Sequence, residues 1–181
     1  MAISSTFVTG QVFTAADANL MANSGLVFVK SQTVGTGVSS VAVTGAFSST
    51  YDNYKIIYSG GVGSGTTSIR MTLGSANTQY YMMLTFVAWS SAAYTFLGVD
   101  NGAQWTTVGS MDANQTAVNL DVLNPFASKY TMFSGTYTRS DLGGPVFGVQ
   151  KSTTSFTAFT FTPDSGTLTG GTITVYGYRK G

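Results

Sequence analysis

Catalysis by this chain would have to run on aspartate. The sequence contains no His, no Cys and no Glu, and its seven acidic residues are all Asp. A Ser-His-Asp triad, a Cys-His pair and the usual zinc ligand sets therefore cannot be assembled. Glycoside hydrolysis needs two carboxylates held about 5 to 9.5 Å apart, and only Asp17, Asp52, Asp100, Asp112, Asp121, Asp141 and Asp164 are on offer. Most of these lie in turn-like contexts such as "YDNY", "VDNG", "SDLG" and "PDSG". There an Asp side chain accepts hydrogen bonds from nearby backbone and shapes a turn. Asp121, in "VNLDVLNP", is the exception because it falls within a strand pattern. The expectation is a protein that is not an enzyme and carries no cofactor.

Other binding chemistries are constrained in the same way. The loop "GGVGSG" is followed by neither Gly-Lys-Ser/Thr nor a helix, so it is no phosphate cradle. No EF-hand spacing exists, which leaves calcium held by Asp and carbonyl oxygens as an open alternative. The eight cations are spread along the chain, with Arg179-Lys180 the sole cluster, and the formal net charge is +1. Nucleic-acid binders need clustered cations to displace phosphate counterions, so none is expected here. Trp89 and Trp105, with Tyr80, Tyr81 and Tyr94, have the rings to stack on a sugar face. Aromatics at alternating strand positions more commonly fill a core or a subunit contact.

The elements that would position these residues read as strands. From Leu26 onward the chain is a series of short segments such as "LVFVKSQTV", "NYKIIYSGG", "YYMMLTFVAW", "SFTAFTFTP" and "GTITVYGYRK". They are rich in β-branched and aromatic residues and bounded by Gly, Asn, Asp, Ser or Pro. In "TITVYGYR", Ile173, Val175 and Gly177 alternate with Thr172, Thr174, Tyr176 and Tyr178. About ten to twelve strands, without long helical stretches between them, predict an antiparallel β-sandwich, jelly-roll-like, spanning residues 26–181. "YYMMLTFVAW" is apolar on both faces, as suits a strand covered by a neighbour as well as by its own core.

Residues 1–25 read differently. Thr14 is placed to cap a two-turn helix over Ala15 to Ala22, with Asp17 in its first turn and Gly25 as its stop. So short a helix needs something to pack on, and Phe7, Val12, Phe13 and Leu20 supply an apolar contact face. The expectation is an attachment arm ahead of a β domain.

With 181 residues, 43% of them hydrophobic and only 8% charged, the chain can build a real core. Charge is far below the usual quarter of residues, which points to a component that hides surface against partners. The opening "MAISSTFVTG" lacks the features of a signal peptide, and no run approaches 18 apolar residues. The expectation is synthesis in a cytoplasm without membrane insertion.

Two segments carry a family resemblance. "TFVTGQVFTAADANLMANSGLVFVKSQTVG", with Gly10, Thr14, Ala15, Ala16, Asp17 and Asn19, and "FTFTPDSGTLTGGTITVYGYRKG", with Ile173, Val175, Tyr176, Gly177 and Tyr178, resemble segments of tail-fibre and minor tail proteins of tailed bacteriophages. Phe47, Tyr51, Asp52 and Tyr54 contribute, while the middle, Gly60 to Tyr137, has no counterpart. The resemblance implies a virion structural protein, commonly a homotrimer. Its N-terminal arm would dock on other virion proteins, and its β domain would face outward, where host attachment takes place. A capsid decoration or head fibre fits the same pattern. The reading from a different class is a carbohydrate-binding module contacting host surface glycan through Trp89 or Trp105.

Overall fold

The computed structural model describes Val12, Thr14 and residues 25–180. These form an all-β domain whose strand pairings are all antiparallel. In chain order the strands are β1 (Leu26–Thr33), β2 (Val41–Val43), β3 (Asn53–Ser59), β4 (Val62–Gly63), β5 (Thr67–Leu73), β6 (Tyr80–Ala88) and β7 (Tyr94–Gly102). They continue as β8 (Trp105–Asp112), β9 (Gln115–Leu123), β10 (Thr131–Thr138), β11 (Leu142–Gln150), β12 (Phe159–Pro163), β13 (Leu168–Thr169) and β14 (Thr172–Tyr178). The expected antiparallel β-sandwich is present. The expected short helix lies outside the described residues.

β9 is where the sheet divides. Along one edge it pairs with β3, from Val118 to Leu123. Along the other edge its first half pairs with β8 and its second half with β10. From β9 one run of strands passes through β8, β5 and β12 to end at β2; the other passes through β10, β11 and β6 to end at β7. β3 continues through β14 to β1. Two divergent runs sharing one strand can curl over each other and enclose a core without leaving a gap between separate sheets.

Period-two alternation sets which side chains enter that core. In β3, Tyr54, Ile56 and Tyr58 are buried while Asn53, Lys55 and Ile57, which alternate with them, are half-buried. In β14, Ile173, Val175 and Gly177 point inward, as their spacing predicts. Phe159 and Phe161 of β12 are fully buried with ring centroids 5.0 Å apart, and Phe47 bridges Phe159 and Tyr54. Each such side chain contributes about 1.5–3 kcal/mol through burial. The buried tyrosines keep their hydroxyls satisfied. Tyr54 donates to the Ser48 carbonyl at 2.8 Å, Tyr58 to the Gly170 carbonyl at 2.9 Å, and Tyr80 accepts from the Leu73 N–H at 2.7 Å. Burial raises the Tyr58 and Tyr80 hydroxyl pKa values above their ordinary range, so both stay protonated donors.

The turns follow their chemistry. After Pro163-Asp164 the chain reverses through Gly166 at φ 74°, a conformation that a side chain would strain.

Candidate functional site

Asp52, Asp112, Asp121, Asp141 and Asp164 are engaged in structure. Asp112 accepts from the Asn114 N–H at 2.8 Å and the Gln115 N–H at 3.1 Å, closing the β8–β9 hairpin. The Asn114 N–H is the main cause that holds the Asp112 carboxyl below the ordinary carboxylate range. Asp52 pairs with Lys180 at 2.8 Å, Asp164 with Arg70, and Asp141 with Arg139. Asp121, the strand aspartate, receives Lys55 Nζ at 3.1 Å and the Tyr178 hydroxyl. Burial, and then the bond to Asp121, push the Tyr178 hydroxyl up to about 12. That phenol is a fixed donor at neutral pH, so the Lys55–Asp121–Tyr178 group clamps β3, β9 and β14 together. Among the described residues no three Asp, Glu, His or Cys converge to hold a metal ion.

The unusual chemistry of the surface is apolar. Away from the core, β6, β7, β10 and β11 turn Met83, Tyr94, Phe96, Met132 and Phe147, each of them exposed. Register places them side by side. Phe147 is opposite Met83, Val149 lies between Tyr81 and Met132, Thr85 is opposite Phe96, and Val87 is opposite Tyr94. Directly opposed residues share a face, with Cβ atoms about 4.5–5.5 Å apart. Between them runs a groove of about 500 Å³ lined by Tyr81, Met83, Leu123, Met132, Phe147 and Val149. A second hollow of about 440 Å³ adjoins it beside Phe96 and Leu97. Charge sits at the rim: Lys151 Nζ lies 3.8 Å above the Tyr81 ring, and Asp100 borders the second hollow.

The two tryptophans part company. Trp105 is fully enclosed between Tyr80 and Phe133, at ring centroid distances of 5.3 and 4.6 Å. Its Nε1 has no acceptor among the described residues. Its expected role as a glycan contact is corrected, because a ring at 0% exposure cannot be stacked upon. Trp89 is 64% exposed at the end of β6 and lies across Gly143, where a Cβ would come within 2.7 Å of its ring. Of the expected arm residues, Val12 is described and exposed at 77%, while Phe7, Phe13 and Leu20 lie outside the described residues. Sequence reasoning missed Met83, Phe96, Met132 and Phe147 as a group. The available signal was the two-faced apolarity of "YYMMLTFVAW".

The chain matches no protein-family model, no curated protein and no solved structure.

Proposed function

We propose that this chain is a non-enzymatic structural protein of a tailed-phage particle, a tail fibre or tail-associated component. In this reading residues 1–25 anchor it and the β domain is displayed, with host attachment as the use of the exposed surface. The observation that carries the assembly part is the largely apolar face of β6, β7, β10 and β11. A solitary soluble domain rarely leaves so large a contiguous apolar surface in water. The tail-like ends of the sequence supply the virion part. The absence of His, Cys and Glu, with five of the six described carboxylates engaged in turns and ion pairs, favours assembly over catalysis.

The test is the location and copy number of the chain in purified particles, by quantitative mass spectrometry and immunogold labelling. The reading expects a fixed small copy number on the tail. It also expects deletion of Met1 to Ser24 to abolish incorporation while the remaining β domain stays folded by circular dichroism. Absence of the chain from purified particles overturns the reading, and a position on the head shell moves it to a capsid decoration. Binding of soluble protein to bacterial surface glycan, lost in Trp89→Ala, would favour the carbohydrate-binding alternative instead.

A further inference from the structure

We infer that the outward face of β6, β7, β10 and β11 is the contact through which one copy of this chain binds another. This deepens the assembly reading by naming the surface and its occupant. Six side chains define the face: Met83, Trp89, Tyr94, Phe96, Met132 and Phe147, exposed between 42% and 70%. At about 200 Å² per large side chain, they present on the order of 700 Å² of apolar surface. The largest apolar patch on a typical monomer is about 300–600 Å². A stable protein–protein interface buries about 800 Å² per partner. The face thus exceeds what a lone domain commonly tolerates and approaches what one side of a stable pair requires.

Three further observations select a second copy as the occupant. The outward side chains of these strands carry a single charge, Asp100 near the end of β7, and Lys151 and Asp121 stand beside the face. An apolar centre inside a polar rim is the anatomy of a protein contact. A partner recognised by charge would find only Asp100 to pair with. A glycan needs a dense set of fixed hydrogen-bonding groups, yet the groove offers only the scattered hydroxyls of Tyr81, Thr85, Tyr94 and Ser134 beside its apolar side chains. A second copy brings the same largely apolar surface, with protruding rings at Tyr94 and Phe96 and a groove lined by Met83 and Phe147 to receive them.

The edge of the sheet agrees. Among the described residues β7 pairs with β6 alone, so its outer edge presents backbone N–H and C=O groups to solvent. Free edges are ordinarily guarded by Lys, Pro or a short strand. β7 runs nine residues, "YTFLGVDNG", with neither Lys nor Pro; its one charge, Asp100, and a register shift lie near its C-terminal end, which leaves Tyr94 to Gly98 unguarded. A strand left open and flanked by exposed rings is built to be covered, and pairing with the same edge of another copy gives a self-complementary contact.

The experiment is sedimentation velocity on the full chain across micromolar concentrations, with Phe96→Asp/Phe147→Asp and Thr160→Asp beside it. The wild type and Thr160→Asp are expected to sediment as one oligomer. The double variant is expected to sediment as a monomer with an unchanged circular dichroism spectrum, its dissociation constant raised about 100-fold or more, the scale of losing two central anchors. A wild type that stays monomeric overturns the inference, and so does a double variant that assembles like the wild type. Since the chain has no Cys, a spin label at Phe147→Cys and another at Thr160→Cys give an independent reading. Short inter-copy distances are expected at the first position and none at the second; the reverse pattern sinks the proposal even if the double variant misfolds. Self-association by purified protein that is missing from particles would defeat the virion reading alone. A particle protein that is monomeric in isolation would defeat this inference alone.

Discussion

On β5 and β12 the side chains that alternate away from the core are Ser68, Arg70, Thr72, Thr160 and Thr162, half-buried and polar. On β6, β7, β10 and β11 the corresponding positions hold Met83, Phe96, Met132 and Phe147, which are exposed and apolar. Both regions share one core and the same antiparallel ladder. The difference is therefore not a demand of the fold. An antiparallel sheet needs only one apolar face, and its other face is normally polar. The β5–β12 region follows that rule, and Arg70 pairs there with Asp164. The β6–β7 region departs from it, and departures from a local rule concentrate where a protein meets something else.

The largest expected effect tests how deep the apolar region reaches. Trp105→Ala should lose about 3–5 kcal/mol of stability in urea unfolding, the cost of emptying a core aromatic site. Trp89→Ala, on the surface, should lose less than about 1 kcal/mol. Equal losses would dissolve the distinction between the two rings.

Next in size is the fit between β11 and β6. A Cβ at Gly144 would sit 1.8 Å from the Thr85 carbonyl oxygen and 2.8 Å from Phe86 Cα. Gly144→Ala should therefore cost at least about 2 kcal/mol, toward the upper end of overpacking losses. Gly65→Ala, where a Cβ meets nothing within 4 Å, should change stability by no more than about 0.5 kcal/mol. A neutral Gly144→Ala would mean that β11 and β6 are less tightly apposed than described.

A lysine placed on each face separates them at smaller scale. Thr160→Lys should leave thermal stability within about 0.5 kcal/mol of the wild type, and Phe96→Lys should lower it only by what association adds at the protein concentration used. Only Phe96→Lys should change the sedimentation coefficient. If Thr160→Lys also dissociates the protein, the contrast between the faces carries no functional meaning.

The smallest effect is a pH dependence outside both regions. The folded Asp112 carboxyl lies below its ordinary value, chiefly because the Asn114 N–H bonds to the ionised form. A depressed folded pKa adds stability that is fully present above the unfolded value, near about pH 3.9, and is lost as pH falls through the folded value. Wild type should therefore exceed Asp112→Ala in melting temperature at neutral pH, with the gap narrowing below about pH 4. A gap that stays constant down to acid pH would remove the carboxylate from the account of this hairpin.

Much of the fold was legible in the residues. The alternation of Ile173, Val175 and Gly177 assigned their shared face, and Pro163-Asp164 with Gly166 marked the turn that follows β12. Such features depend on neighbours one to four residues apart, which the sequence displays directly. The candidate site was less legible. Trp89 and Trp105 stand in similar strand-end contexts, "VAWSS" and "AQWTT", yet one is exposed and the other enclosed. Their fates depend on β10 and β11, which bring Phe133 against Trp105 and Gly143 beneath Trp89.

By itself the sequence determined the class of this protein: an all-β chain, nearly free of charge, lacking the residues that most catalytic sites require. Period-two patterning and composition are local and additive, so they survive without knowledge of the partners each strand will find. The tertiary structure decided which of two equally apolar faces of β6 became core. It paired Phe147 with Met83 and Phe96 with Thr85 on the outward side, and among the described residues it left the outer edge of β7 unpaired. Those choices follow from the division of the sheet at β9. Register between strands distant in sequence is fixed by the enclosed volume as a whole, which no short stretch of residues encodes.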